Sequence, residues 1–447
     1  MKKKTKVILI FILFFFAFFL RTALAPLINK GDILAINEWS QSLFEKGMSG
    51  SYFRGGWIYS FPTQPPVMMI LYWLSRWLYE HKYWLAITHN LLKLPPAFVL
   101  LWIHENGPWF LVRLWGILAD CLAGAVIYFL ISKLTKNAKL AFWAMFFLLF
   151  NPILIFISSI WGQTCLVASL LALLSFLVFY RKNGKLLSPI FFTLGILIKP
   201  TILIFLPLYS FFLVKEFFLA SLKEKKSFSW LILGGFLSLA ITIVSFFPFW
   251  DKSESFFKNV DSVLTRRIVP SAKGTSKVAT SAFTFYTVVF DIDKTPGSYK
   301  VGFLSLDQWG NIFFVLINVF GLSLFLKKDK SVLNRLESLS LAAYFIGEGT
   351  FLFKTGMAER YFLPAFFFLY ILFFLTKDKR IRVVILVQFL VWFINLSSSF
   401  FLSDYSFLDI IFRQNNFLGT RIVSLANVFV FLYLSSFFLH HPGSNKS

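Results

Sequence analysis

The run MKKKTKVILIFILFFFAFFL, residues 1–20, decides the fold class, because a short basic segment is followed by an apolar stretch without a charge. No small-residue cleavage site follows, so we interpret it as an uncleaved first membrane span with its N-terminus in the cytoplasm rather than as a signal peptide. Apolar runs of roughly 17 to 22 residues recur along the chain, as is typical of transmembrane helices. The sequence therefore predicts an all-α, polytopic membrane bundle of about twelve segments.

Composition agrees with a membrane protein and argues against other classes. The 447 residues include 61 Phe, and the mean hydropathy is +0.72. The net charge of +23 does not indicate nucleic-acid binding, because Lys and Arg cluster in short loops between apolar runs, as the positive-inside rule expects. Cys121 and Cys165 lie in apolar stretches, which favours buried thiols over a disulfide framework. The lipid bilayer is a predicted partner, and nucleic acid is not.

Five basic loops predict the topology. We take them to face the cytoplasm, so the spans between them occur in pairs. The first two loops contain Lys133, Lys136 and Lys139, and Arg181, Lys182 and Lys185. The other three are KEFFLASLKEKK (215–226), KKDK (327–330) and KDKRIR (377–382). The opposite face then carries the outer loops, which are 28–108, 251–308 and 398–421. One domain is predicted over 1–440, followed by a short polar tail, 441–447.

The first outer loop is expected to contain amphipathic juxtamembrane helices. Segments 66–80 and 84–103 are expected to lie on the outer face, although the parity is unchanged if both cross. GDILAINEWSQSLFEKG (31–47) predicts a helix with Ile36, Trp39 and Leu43 on one face. Asp32 lies at its start, where a partly desolvated carboxylate can act as a general base. The alternative for Asp32 is a helix-capping role.

Proline interrupts apolar runs at points that the topology places on the same outer face. SFPTQPP (60–66), which contains Gln64, is an extended segment that begins an apolar helix. FNPILIFISSIWGQTC (150–165) is broken at Asn151-Pro152 and ends in a polar turn at Trp161-Gly162-Gln163. A Lys199-Pro200 break divides 187–214 into a bent or re-entrant hairpin.

The outer loop 251–308 is rich in cations, which suggests an anionic ligand such as a lipid phosphate. Non-specific binding of headgroups is the alternative. The cations are Lys252, Lys258, Arg266, Arg267, Lys273, Lys277, Lys294 and Lys300. Asp291 and Asp293 form a DxD pattern that is too common to indicate a metal site by itself.

Charged residues also interrupt later apolar segments. In FKTGMAERYFLPAFFF (353–368), Lys354, Glu359 and Arg360 form either a site at the membrane edge or an anchor to headgroups. Asp120 lies within a predicted span, where pairing with Arg113 or with a neighbouring helix is favoured over catalysis.

Together these motifs resemble the GT-C superfamily of multi-pass glycosyltransferases, which use polyprenyl-phosphate sugars as donors. The resemblance runs in order through most of the chain, and its members are Asp32 after the first span, Pro65-Pro66, ILAD (117–120), NP…WGQ (151–163), KPT (199–201), SAFTFY (281–286) and ERYFLP (359–364). Two positions depart from the family pattern. Ala358 stands where a His is common before the ERY motif, and Cys165 stands where an Asp follows WGQ.

The resemblance implies a GT-C helical bundle and inverting transfer, in which a carboxylate deprotonates the acceptor hydroxyl and a polyprenyl phosphate departs. On this basis Asp32 is the predicted base. The predicted phosphate contacts are Lys199, Arg266, Arg267 and Arg360, and the predicted site-shaping residues are Gln64, Trp161, Gln163, Glu359 and Tyr361. No cofactor is expected beyond the donor substrate, and a divalent metal is not expected, since no acidic pair lies at Asp32.

The predicted function is transfer of a hexose, such as mannose, from a polyprenyl-phosphate sugar to a glycan, lipid or protein acceptor at the outer face of a prokaryotic plasma membrane. The sequence leaves two alternatives open. One is a transporter or flippase of lipid-linked sugars, and the other is a non-catalytic membrane protein descended from an enzyme. Internal repeats typical of transporters are not visible.

Overall fold

The computed structural model describes residues 3–93, 98–179, 184–223, 225–272, 276–326 and 332–440. Several predicted features lie outside these residues: Arg181 and Lys182 of the second basic loop, the loop KKDK (327–330), Lys273 and the tail 441–447. Helices account for almost all regular structure, and the strands are two residues long. The predicted helical membrane bundle is confirmed.

Thirteen α-helices form the first two thirds of the described chain. They are α1 (Lys3–Leu24), α2 (Asp32–Glu45), α3 (Pro66–Glu80), α4 (Tyr83–Leu91), α5 (Phe98–Thr135), α6 (Ala138–Leu149), α7 (Pro152–Ile155), α8 (Cys165–Phe179), α9 (Gly184–Ile198), α10 (Leu206–Lys223), α11 (Lys225–Phe246), α12 (Phe256–Val263) and α13 (Val269–Ala272). A π-helical turn covers Phe156–Trp161 and another covers Leu264–Ile268. Short 3-10 segments cover Pro200–Phe205 and Phe247–Phe249.

The remaining helices are α14 (Tyr286–Val289), α15 (Leu306–Leu326), α16 (Val332–Phe353), α17 (Leu363–Leu375), α18 (Lys379–Phe401), α19 (Ser406–Phe412) and α20 (Leu418–His440), with a 3-10 turn at Asn415–Phe417. Strand β1 (Ala279–Thr280) pairs in parallel with β4 (Met357–Ala358). Strand β2 (Lys300–Val301) pairs in antiparallel with β3 (Leu304–Ser305).

The chain divides into two compact units. Unit 1 comprises Met1–Val126, Met145–Pro200 and Trp230–Pro270. Unit 2 comprises Ile127–Ala144, Thr201–Ser229 and Ser271–Ser447. A single domain over 1–440 stays a prediction.

Six helical segments of the described residues are long and apolar enough to cross a membrane. They are Phe98–Thr135, Ala138–Trp161, Phe228–Phe249, Leu306–Leu326, Lys379–Phe401 and Leu418–Phe438. Shorter apolar helices of 10–17 residues accompany them, at Ile8–Leu24, Cys165–Phe179, Gly184–Ile198, Pro200–Lys215 and Leu363–Leu375.

Helix α5 differs from the segment that we expected on the outer surface. The stretch 84–103 is divided, because α4 ends at Leu91 and α5 begins at Phe98 and continues through Pro108. Proline in a helix removes the hydrogen bond to the carbonyl four residues earlier. That carbonyl, of His104, accepts a hydrogen bond from the Tyr79 hydroxyl at 3.0 Å instead. A partner from α3 therefore satisfies the carbonyl that Pro108 leaves open, and the helix continues.

The two predicted proline breaks are confirmed. Helix α6 ends before Asn151, whose side chain accepts from the Ile153 backbone N–H at 2.9 Å and so caps the next turn. At the second break, α9 ends at Ile198 and a 3-10 segment begins at Pro200. Both breaks place a polar residue, Asn151 or Lys199, between apolar helices.

Candidate active site

Asp32, Gln163 and Lys199, which were predicted separately, are joined in unit 1 by two hydrogen bonds. The Lys199 Nζ atom donates to Gln163 Oε1 at 3.0 Å, and Gln163 Nε2 donates to Asp32 Oδ2 at 2.6 Å. Gln163 and Lys199 are buried, whereas Asp32 is exposed. The carboxylate therefore lies at the accessible end of a polar line that runs into the protein.

The chemistry of the two ends sets the orientation of the Gln163 amide. An ammonium has only donors and an ionised carboxylate only acceptors, so the amide oxygen faces Lys199 and the amide nitrogen faces Asp32. Hydrogen bonds to charged groups are stronger than neutral ones. Gln163 thus holds two opposite charges apart while contacting both.

Local backbone chemistry brings the three residues to these places. Asp32 is the first residue of α2, after Gly31 with φ of +63°. Gln163 follows the π-helical turn and Gly162, whose φ is +77°; a Cβ at Gly162 would lie 2.6 Å from Ile33 Cδ1. Lys199 directly follows α9, and its backbone N–H donates to the Gly195 carbonyl at 2.9 Å. Glycine is needed at Gly162 on both grounds, a left-handed backbone and close packing against α2.

Helix α2 has the predicted amphipathic face. Ile36, Trp39 and Leu43 are buried, and Trp39 Nε1 donates to the Ser60 carbonyl at 2.7 Å. The N-cap residue of α2 is Gly31, so Asp32 does not occupy the capping position. The Asp32 side chain instead accepts a hydrogen bond from Gln163.

Of the other predicted site-shaping residues, Trp161 is buried at the end of the π-helical turn, with its ring 6.0 Å from that of Phe156. The Gln64 carbonyl accepts a hydrogen bond from the Tyr52 hydroxyl at 2.7 Å, so its backbone fastens the segment before α3. The partly buried Gln64 side chain stays a predicted site-shaping group.

Arg267, one of the predicted phosphate contacts, lies against two aromatic rings. Its guanidinium carbon is 4.0 Å from the ring centroid of Phe61 and 5.0 Å from that of Phe53. Partial burial lowers the pKa of Arg267 from its ordinary value, yet arginine remains protonated. Arg266, the adjacent residue, is exposed. A cation is therefore held beside the loop that leads from α2 to α3.

Asp120 pairs with a neighbouring helix, not with Arg113. Its Oδ2 atom accepts from Arg21 Nε of α1 at 3.0 Å and from the Ser158 hydroxyl at 2.7 Å, and both charged side chains are fully buried. Arg113 instead donates to neutral oxygens, those of Ile28, Asn29, Trp109 and Ile160. This arrangement supports structural pairing of Asp120 rather than catalysis, because the charges of Arg21 and Asp120 neutralise each other inside the protein.

In unit 2, the backbone brings the SAFTFY and ERYFLP motifs together. Thr280 pairs with Ala358, so the strand before one motif adjoins the strand before the other. Glu359 is buried and forms an ion pair with the partly exposed Arg360. The Tyr361 backbone N–H donates to the Ala358 carbonyl at 2.9 Å and turns the chain toward α17. The position of the missing His is therefore a β-pairing residue directly before an ion pair.

Buried amides that the sequence reading missed hold the SAFTFY segment. Asn395 accepts from the Phe283 backbone N–H at 3.1 Å and donates to the Ser281 carbonyl at 2.7 Å, and Asn427 donates to the Phe283 carbonyl at 3.0 Å. Gln388 connects Asn427 to the buried Glu348. The sequence did contain a signal for them, since these amides lie within the otherwise apolar helices α18 and α20.

The two aspartates of the DxD pattern are engaged by arginines. Asp291 pairs with Arg421 at 3.0 Å and Asp293 with Arg413 at 2.6 Å. Within the described ranges, no cluster of three or more His, Cys, Asp or Glu side chains is arranged to hold a metal ion. Metal independence stays a prediction.

The sequence model of the ALG6, ALG8 glycosyltransferase family matches residues 103–407, more than half of the chain. No curated protein matches the chain. The matched range contains Gln163, Lys199, Glu359 and Arg360, whereas Asp32 lies before it. The GT-C resemblance is confirmed, and with the membrane helices it identifies a multi-pass membrane glycosyltransferase that uses a lipid-linked sugar.

Proposed function

The chain belongs to the ALG6, ALG8 glycosyltransferase family, and from this premise we propose that it transfers a hexose from a polyprenyl-phosphate carrier to an acceptor hydroxyl, with Asp32 as the general base. The single observation that carries the proposal is the exposed Asp32 carboxylate held by Gln163, which the buried Lys199 contacts on its other side. Glucose and mannose are the two donor sugars to compare, and mannose is the hexose that we propose.

In the proposed step, Asp32 takes the proton of the acceptor hydroxyl as its oxygen attacks the anomeric carbon. The bond from that carbon to the phosphate oxygen breaks, and the polyprenyl phosphate leaves with the electron pair. Gln163 occupies Asp32 Oδ2 and so limits the directions in which the carboxylate can accept the proton. A base that is held within hydrogen-bond reach of its proton supports inverting transfer.

Cations are proposed to bind the donor phosphate, which is also the group that departs. Lys199 uses one N–H on Gln163, and an ammonium carries three. Arg266 and Arg267 supply charge in the outer loop, and the stacked Arg267 presents a planar donor group suited to phosphate oxygens. Arg360 belongs to unit 2, and its proposed phosphate contact needs a test of its own.

The central test is transfer by purified protein in lipid, with polyprenyl-phosphate glucose and polyprenyl-phosphate mannose offered in turn. Asp32→Asn keeps the shape but removes proton acceptance, so turnover is expected to fall by roughly 10²–10⁴ with little change in the donor KM. Glu45→Gln, an exposed acid at the other end of α2, is the matched control and should retain activity. Full activity of Asp32→Asn with either donor would remove the base assignment.

We place the active site on the face opposite the basic loops, in the plasma membrane of a prokaryote, with the N-terminus in the cytoplasm. The support is the Lys and Arg distribution of the sequence. Ser253 is exposed in the outer loop, so a Ser253→Cys variant should react with a membrane-impermeant thiol reagent added to intact cells. Labelling only after the cells are opened would reverse this orientation.

A further inference from the structure

Arg113 is a buried cation whose hydrogen bonds within the described residues all go to neutral oxygens. It lies in α5, a candidate span, and is 1% exposed. Its Nη2 atom donates to the Ile28 carbonyl at 2.6 Å and the Ile160 carbonyl at 3.2 Å. Its Nη1 atom donates to Asn29 Oδ1 at 2.9 Å and the Trp109 carbonyl at 3.1 Å. A cation buried in a span and held by neutral groups is costly, so its position calls for a function.

The two carbonyls joined by Nη2 lie just before the two ends of the Asp32–Gln163 hydrogen bond. Ile28 precedes Asp32 by four residues and Ile160 precedes Gln163 by three. In each segment a glycine with positive φ, Gly31 or Gly162, lies between the carbonyl and the polar side chain. These glycines are the points at which each segment can change direction most easily. One guanidinium therefore binds a carbonyl of each segment two or three residues before its glycine.

Packing strengthens the connection. A Cβ at Gly162 would lie 3.0 Å from Arg113 Cγ as well as 2.6 Å from Ile33 Cδ1. The stem of Arg113 and the side chain of Ile33, the residue after Asp32, thus both pack closely against Gly162, the residue before Gln163. Movement of Arg113 would be transmitted to both polar residues.

We infer that Arg113 is a positioning residue, whose guanidinium sets the separation of the Asp32 carboxylate and the Gln163 amide by tying the segments 28–29 and 160 together. The inference rests on the proposed role of Asp32 in transfer. Arginine suits this task because its planar, rigid fork of donors can span carbonyls from different segments, whereas the lysine ammonium is a compact point charge. Catalytic groups need their geometry fixed by supporting contacts of this kind.

The first test is Arg113→Lys, which retains the charge and most of the stem but cannot reproduce the fork. Misplacement of a catalytic group by about 1 Å lowers rates by up to roughly 10²-fold, so kcat should fall about tenfold to a hundredfold with an unchanged donor KM. The matched control is Arg54→Lys. Arg54 binds the C-terminal end of α2 through the Ser42, Lys46 and Gly47 carbonyls, and this variant should keep the wild-type kcat.

A double variant separates positioning from general structural support. If Arg113 acts through Asp32, Arg113→Lys should have no further effect on the residual rate of Asp32→Asn, because the group being positioned is gone. An equal loss in both backgrounds, or a wild-type kcat for Arg113→Lys, would overturn the inference.

Hydrogen exchange provides a readout that does not depend on the base assignment. Arg113→Lys should increase amide exchange in 28–33 and in 162–165, whereas Arg54→Lys should leave both segments unchanged. If Asp32→Asn proves fully active, the proposed base fails, and exchange alone then decides the role of Arg113. Unchanged exchange in both segments would reject the positioning role as well.

Discussion

Opposite charges meet in different ways in the two units. In unit 1 the Gln163 amide separates the Asp32 carboxylate from the Lys199 ammonium, and the three residues come from distant parts of the chain. In unit 2 Glu359 and Arg360 are neighbours in sequence and contact each other directly. The two charges of a direct pair neutralise each other, whereas an intervening amide keeps the two charges apart. The first arrangement therefore suits a reacting base, and the second suits an arginine held in a fixed place.

The largest effect is expected from breaking the direct pair. Arg360→Ala leaves the buried Glu359 carboxylate without its arginine, and loss of one partner of a buried pair destabilises a protein by about 3 kcal/mol or more. The thermal midpoint of the protein in lipid should fall accordingly. In Glu359→Gln/Arg360→Ala the buried charge is also removed, so stability should recover while the donor KM stays raised if Arg360 binds phosphate.

That double variant is the control for the proposed phosphate contact. A donor KM that returns to the wild-type value together with the stability would assign Arg360 a purely structural role, and the membrane-anchor reading of 353–368 would then be preferred.

The next effect concerns the amide of unit 1. Gln163→Ala removes two hydrogen bonds to charged groups, each worth about 1.5 kcal/mol, so the activation free energy derived from kcat/KM should rise by about 3 kcal/mol, roughly a 10²-fold loss of kcat/KM. Lys199→Met removes one of them and should raise that activation free energy by about 1.5 kcal/mol, roughly a tenfold loss of kcat/KM. Gln41→Ala is the control, because this exposed amide of α2 contacts Glu45 at the surface.

How the Lys199→Met loss divides between kcat and KM sharpens the contrast between the units. A raised donor KM identifies Lys199 as a phosphate contact, as proposed. A lower kcat with an unchanged donor KM would mean that Lys199 serves only to orient Gln163, and the phosphate assignment would be withdrawn.

How much could be predicted from the sequence depends on how far apart the interacting residues lie along the chain. The breaks at Asn151-Pro152 and Lys199-Pro200 are local consequences of proline chemistry and were readable from the sequence. Asp32 and Gln163 could be assigned to one face, but their hydrogen bond spans 131 positions and needs the folded chain. The partner of Asp120 is Arg21, 99 positions away, rather than the Arg113 of its own helix.

Backbone acceptors were invisible to the sequence reading for a different reason. A carbonyl carries no residue identity, so nothing in the sequence marks Ile28 or Ile160 as partners of Arg113. The continuation of α5 through Pro108 likewise depends on the Tyr79 hydroxyl reaching the His104 carbonyl. Side-chain patterns predict which segments are helical and which residues are unusual, and packing decides which of the unusual residues meet.

The smallest effect is expected at Arg267, whose guanidinium lies against the rings of Phe53 and Phe61. Arg267→Lys keeps the charge for a phosphate and loses the planar contact with the rings. A cation–π contact at a partly exposed position contributes about 0.5–1 kcal/mol, so the donor KM should rise only about twofold to fivefold.

Arg267→Ala removes the charge as well and should raise the KM further, with a weaker dependence on salt because one fewer phosphate contact is screened. Arg266→Lys is the adjacent control, since Arg266 is exposed and a lysine there keeps its charge. If neither Arg267 variant changes the donor KM at low salt, the outer-loop cations bind headgroups without selecting the donor, and the contribution of unit 1 to phosphate binding is reduced to Lys199.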